Sequence, residues 1–268
     1  MEFILYFTQV SLYPVAAIVI CGFFNWLCGR VFLRLLGRSG YNMLVASAFV
    51  GTPIHELGHA AMCLLFRHEI VELVLWQPHS DDGTWGYVRH THNTDDLYQK
   101  LGNLFISAGP IFSGMAVLSL LLMIFFPDTW RSHISAVVSL VEGDASVLAG
   151  IFSGLRMIPN MLAELTRGPA ALGRILVVLV MLSVSLRMSL SPQDIECAVH
   201  ALPSYLTATL VLTVIVTVLG RSLSAAVVGA LEAFSVFLMA MFSLVLAFSV
   251  VQILLALVIH WVRSLLDR

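Results

Sequence analysis

Gly51-Thr52-Pro53-Ile54-His55-Glu56-Leu57-Gly58-His59-Ala60 is the stretch on which the fold turns, because it sets three ionisable side chains inside an apolar run from about Tyr41 to Phe66. Residues four apart share one face of a helix, so His55 and His59 of this HExxH pattern can aim both imidazoles at one ion. Glu56 stands beside them to handle the protons of a water. Zinc suits this ligand set best. Ionisable groups are costly within a helix of hydrocarbon length, and such a cluster points to function. Gly58, without a side chain, lets another backbone or a substrate approach closely.

Composition points the same way. Of 268 residues, 59% are hydrophobic and 11% charged; with a mean hydropathy of +0.93, an ordinary soluble domain is excluded. The lipid bilayer is the expected surrounding. A net charge of −2 and the absence of any Lys/Arg-rich block argue against nucleic acid as a partner. Met1-Glu2 leads straight into apolar sequence with no basic stretch, so a first span is expected and not a cleaved signal. Cys21, Cys28, Cys63 and Cys197 are scattered, form no CxxC pair, and read as small core residues.

The expected fold is an all-α polytopic membrane protein, one domain over 1–268, with about six transmembrane helices and a small β-hairpin after the HExxH helix. The spans are expected at Phe3–Phe24, Tyr41–Phe66, Leu101–Phe126, Ala171–Leu190, Tyr205–Gly220 and Ala233–Trp261, with an interfacial turn at Arg221–Glu232. Residues 41–126 form the core carrying the motifs, 127–173 a polar helical insert, and 171–261 the C-terminal spans. Arg30, Arg34 and Arg38 recur every four residues on a surface helix, which the positive-inside rule places in the cytoplasm.

Between Arg67 and Gln99 the chain is polar. Glu72–Trp76 and Thr84–Arg89 read as two strands about an Asp82-Gly83 turn. A strand edge there can take up an unwound substrate as an added strand. His79, His90 and His92 lie in the same stretch; an HxH pair on a strand can bind metal, although exposed loop histidines more often bind none. Gly109-Pro110, opening the third span, frees backbone groups and thins the helix, which suits a place where substrate docks. In the insert, His133–Ile158 reads either as a further span or as amphipathic helix at the surface. The second is preferred, because Glu142-Gly143-Asp144 makes a costly centre for a span. Pro159-Asn160 and Gly168-Pro169 mark breaks.

HELGH in an early span, a β-like segment, and Ala108-Gly109-Pro110-Ile111 opening the next span together resemble the site-2 protease family of intramembrane zinc metalloproteases. The resemblance covers about Tyr41 to Phe126. It implies that His55 and His59 hold zinc and that Glu56 is the general base. The sequence departs from the family in two places. Ser113 stands near where many members carry asparagine, and the Asn-Pro-rich LDG motif that supplies their third ligand is absent.

Catalytic zinc generally takes three protein ligands, so one more must come from afar. The candidates are Asp194, Asp144, Glu142, Glu164, His200 and His260. If 127–173 makes no crossing, Asp194 emerges at the face where the HExxH helix ends; if it crosses once, Asp144 takes that place. Asp194 also reads as an ordinary capping acid in Ser191-Pro192-Gln193-Asp194. Some compact bacterial membrane proteins resembling the site-2 family carry a similar SPxDI stretch after a span, which adds to the preference for Asp194. The expected activity is zinc-assisted hydrolysis of a membrane protein or transmembrane peptide, in the bacterial cytoplasmic membrane. A hydrolase of lipid or of a small amide, and a non-catalytic scaffold or transporter, are the rivals.

Overall fold

In the computed structural model, which describes residues 2–77, 84–143, 152–167 and 171–266, helix dominates. The helices are α1 (Glu2–Leu36), α2 (Arg38–Leu65), α3 (Leu97–Ser107), α4 (Gly109–Phe125), α5 (Pro127–Glu142), α6 (Met157–Leu165), α7 (Ala171–Leu186), α8 (Pro192–Leu219) and α9 (Arg221–Leu266). Strands β1 (Glu69–Val74) and β2 (Tyr87–Thr91) follow α2 and pair antiparallel, from Glu69 opposite Thr91 to Val74 opposite Tyr87. A bulge between Ile70 and Glu72 interrupts the register. Asp82-Gly83, His79, Asp144 and Gly168-Pro169 lie outside the described residues.

Among the described residues, three helices are long and apolar enough to cross a membrane: Glu2–Leu36, Pro192–Leu219 and Ser222–Leu266. A fourth crossing results if α3 and α4, bent by 55° at Ala108, act as one broken span. This falls short of the six expected, and the reasons are physical. At ~1.5 Å per residue the 16 residues of α7 reach only ~24 Å, less than the ~30 Å of a hydrocarbon core. The polar residues that make α2 interesting also dilute its apolar content. Arg221–Glu232, expected as a turn, instead continues the helix that runs to Leu266. Of the surface helix expected at Arg30–Arg38, Arg30 and Arg34 lie in the last turns of α1, which stops before Gly37, where φ is +53°, and Arg38 opens α2. In the insert, α5 ends at Glu142 and Gly143 is extended, so no unbroken helix links His133 to Ile158.

α2 is amphipathic in the sense a bilayer requires. Ser47, Thr52, Glu56 and His59 are buried, whereas Phe49, Leu57 and Leu64 face outward. The apolar core is built by α4, α7 and α9 around Leu118, Leu122, Met181, Met239, Phe242 and Phe248. Several polar groups within this packing are satisfied in place, as a medium without water demands. Gln252 Nε2 donates to the Leu182 carbonyl and the Ser185 hydroxyl, 2.7 Å each, while the Ser249 hydroxyl donates to Asn25 Oδ1 at 2.8 Å. These bonds tie α1, α7 and α9 together.

His133 on α5 is an exception. It is buried, and neither ring nitrogen has a hydrogen-bond partner among the described residues. Burial pushes its pKa from 6.5 down to about 4. Between those two values the unfolded chain binds a proton that the folded chain refuses, so stability falls as pH drops through this window. Thermal melts in detergent are expected to show that fall, and His133→Leu should flatten it by up to ~3 kcal/mol between pH 6.5 and 4.

Candidate metal centre

Gly51 lets the end of α7 come against α2: a Cβ there would lie 2.5 Å from Arg187 Cγ and 2.8 Å from the Ser183 carbonyl oxygen. The approach brings the Arg187 carbonyl, just past the end of α7, to His55 Nδ1 at 2.8 Å. Farther along, Gly58 and Gly109 put α2 and α4 in backbone contact. A Cβ on Gly58 would meet the Gly109 oxygen at 2.5 Å, and one on Gly109 the Gly58 oxygen at 2.6 Å. Ser113 fastens this crossing by donating its hydroxyl to the Ile54 carbonyl at 2.8 Å.

The crossing also supplies the second carbonyl. In a continuous helix the Ile106 oxygen would accept from the N–H of residue 110, but Pro110 has none. Ile106 O instead lies 2.7 Å from His59 Nδ1. A carbonyl can only accept, so both Nδ1 atoms carry hydrogen, and in the neutral rings both Nε2 atoms are bare lone pairs. Backbone carbonyls commonly fix metal-binding histidines in this way.

The two Nε2 atoms stand 3.2 Å apart. Asp194 Oδ1 lies 3.2 Å from His59 Nε2, and Asp194 Oδ2 lies 3.9 Å from His55 Nε2. Three acceptors thus converge with no donor among them, an arrangement that repels itself unless a cation occupies the middle. Ligand atoms ~2.0 Å from a tetrahedral divalent ion would stand ~3.3 Å apart, near the 3.2 Å between the imidazoles and from His59 to Asp194, and shorter than the 3.9 Å from His55 to Asp194. His55, His59 and Asp194 form a group that could hold a metal.

Asp194 is the capping acid read from the sequence and at the same time the carboxylate beside the two imidazoles. Its Oδ2 accepts from Ser191 N at 2.7 Å, and its own N–H donates to the Ser191 hydroxyl at 3.1 Å, closing a capping box at the start of α8. The cap holds the carboxylate toward the imidazoles. Among the rivals, Glu164 accepts from the Thr129 N–H and hydroxyl at the start of α5, while Glu142, His200 and His260 are exposed and outside the group.

Glu56, buried, lines with His55, His59 and Asp194 a cavity of about 980 Å³. The stretch Thr84–His90 forms one wall, and Gly86 lies so near that a Cβ there would be 2.9 Å from Glu56 Cγ. Gly109 and Pro110, expected to touch substrate, are buried in the helix crossing and do not line the cavity; Ile106 and Ser107 do. Thr52 and Arg187, which the sequence reading passed over, line it as well. The Thr52 hydroxyl has no partner among the described residues, and the Arg187 guanidinium lies 4.9 Å from the Trp85 ring centroid. An arginine at the end of an apolar helix was the signal available for the second of these.

Metal content of the purified chain should drop to background in Asp194→Ala and in His59→Ala. Pro110→Ala should weaken zinc affinity about 10-fold or more, the size of effect seen when a histidine's outer partner is lost, because the restored N–H competes for the Ile106 carbonyl. No protein-family model, curated protein or solved structure matches the chain, and its function has to be reasoned from this chemistry.

Proposed function

We propose that the chain is an intramembrane zinc metalloprotease, similar to the site-2 proteases, that hydrolyses peptide bonds of membrane-embedded substrates. The observation that carries this reading is the convergence of two bare Nε2 atoms and one carboxylate in a cavity shared with Glu56. His55, His59 and Asp194 would hold the ion. Zinc, when bound, supplies Lewis acidity to a water and to the scissile carbonyl.

The residues of the chain do the rest. Glu56 takes the proton of the attacking water and returns it to the leaving amine. Arg187, lining the same cavity, has its guanidinium bonded to the Leu44 carbonyl at 3.0 Å and set over Trp85, and helps hold the cavity wall in place. A substrate helix hides its carbonyls in i→i−4 bonds and must unwind before attack. Four consecutive residues of β2, Tyr87 to His90, line the cavity, so an unwound segment can lie along this strand as an added strand. The resemblance in HELGH and AGPI further supports a membrane peptide over a lipid or a small amide, and a bacterial cytoplasmic membrane as the location.

The test is cleavage of a transmembrane peptide by the chain reconstituted in lipid. Glu56→Gln should keep the metal and lose turnover by about 10²–10⁴. A transporter or scaffold would keep its function in that variant, and a lipid hydrolase would leave the peptide whole.

A further inference from the structure

His68, His90 and His92 come together at the other end of β2. The left-handed Arg67, with φ at +60°, turns the chain sharply out of α2 and puts His68 under the hairpin. There it is buried, and its Nε2 donates to the Gln99 carbonyl on α3 at 2.8 Å. Nδ1 is therefore its bare nitrogen. It faces His90 Nδ1 at 3.0 Å. The His92 ring stacks on His68, with centroids 4.9 Å apart and planes 14° from parallel.

The surroundings are shaped for this meeting. Gly102 on α3 leaves room that a side chain would take, since a Cβ there would lie 2.5 Å from Phe66 Cβ and 3.0 Å from His68 Nε2. The Asn103 amide nitrogen lies 3.3 Å from His92 Nε2 and donates to it, or yields its place to the amide oxygen on a flip. With the oxygen turned to accept from that nitrogen, Nδ1 of His92 is left bare in turn. One ligand atom from each of the three histidines falls within 4.8 Å of the others. His90 and His92 also border a second cavity of about 590 Å³, open toward Lys100 and Glu196, which gives an ion a way in.

We propose that His68, His90 and His92 form a second metal site, for an imidazole-preferring divalent ion such as Zn²⁺, that staples the hairpin to α2 and α3. It is separate from the HExxH group. Imidazole suits zinc, copper and nickel and offers little to magnesium or calcium. The three ligands sit before β1, within β2 and just after β2, so one ion would fix both strands and the Asn103 face of α3 at once. β2 is also a wall of the larger cavity, so the second ion would set the position of the strand that faces the candidate catalytic group.

The full chain, purified in detergent and stripped with a chelator, is dialysed against Zn²⁺, and bound metal is counted. Two equivalents are expected in the wild type. His90→Gln with His92→Gln should bind one fewer, His92→Cys should keep the full count because thiolate also holds zinc, and His59→Ala should lose the other. Hydrogen exchange of residues 69–74 and 87–91 should slow at least 10-fold with Zn²⁺ in the wild type and not in the double variant. An unchanged equivalent count in the double variant, with no zinc-dependent protection of the hairpin, would overturn the site. Loss of one equivalent in the double variant but none in His59→Ala would instead uphold it and count against the protease reading.

Discussion

Two hydrogen bonds organise the centre of this molecule: those from His55 Nδ1 to the Arg187 carbonyl and from His59 Nδ1 to the Ile106 carbonyl. They settle which nitrogen of each ring carries hydrogen, and so leave two lone pairs and the Asp194 carboxylate pointed at one another. Each carbonyl is free for a reason in the backbone. Arg187 lies past the last turn of α7, and Ile106 lies four residues before a proline. The electrostatics of the site thus follow from where helices stop.

Close approach makes those bonds possible. Gly51, Gly58 and Gly109 each stand where a methyl group would collide with a neighbouring segment, and together they draw α7 and α4 onto α2. In a bilayer, where apolar surface alone gives little drive for helices to associate, small residues and inward-facing polar groups supply it. α2 shows both, with glycines and its ionisable side chains on one face and Phe49, Leu57 and Leu64 on the other.

Much of this was legible beforehand. The spacing of His55, Glu56 and His59 implied a shared face, and Ser191-Pro192-Gln193-Asp194 implied a helix start. What the sequence could not reveal was that the helix start and the carboxylate facing the two imidazoles are one arrangement, because that depends on α8 meeting α3 and α2 in space. The span count differs because length and apolar content need not coincide in one helix. α2 is long but diluted by its own site, α7 is apolar but short, and the broken α3–α4 pair is neither one helix nor two independent ones. Gly109-Pro110 has the backbone properties expected of it but serves a different end, since the missing N–H and missing Cβ act on His59 and Gly58 and not in the cavity. His68 was overlooked because one histidine beside Arg67 carries no pattern, and its partners lie 22 and 24 positions away.

The capping box at Ser191 and Asp194 has a bearing on the ion-free protein. Its two bonds hold the carboxylate without help from any guest, just as the two carbonyls hold the imidazoles. These backbone bonds oppose the mutual repulsion of the three acceptors, so an ion entering between them would find them already held and would freeze out little conformational freedom. Loss of such an ion would then leave the helix packing around it standing.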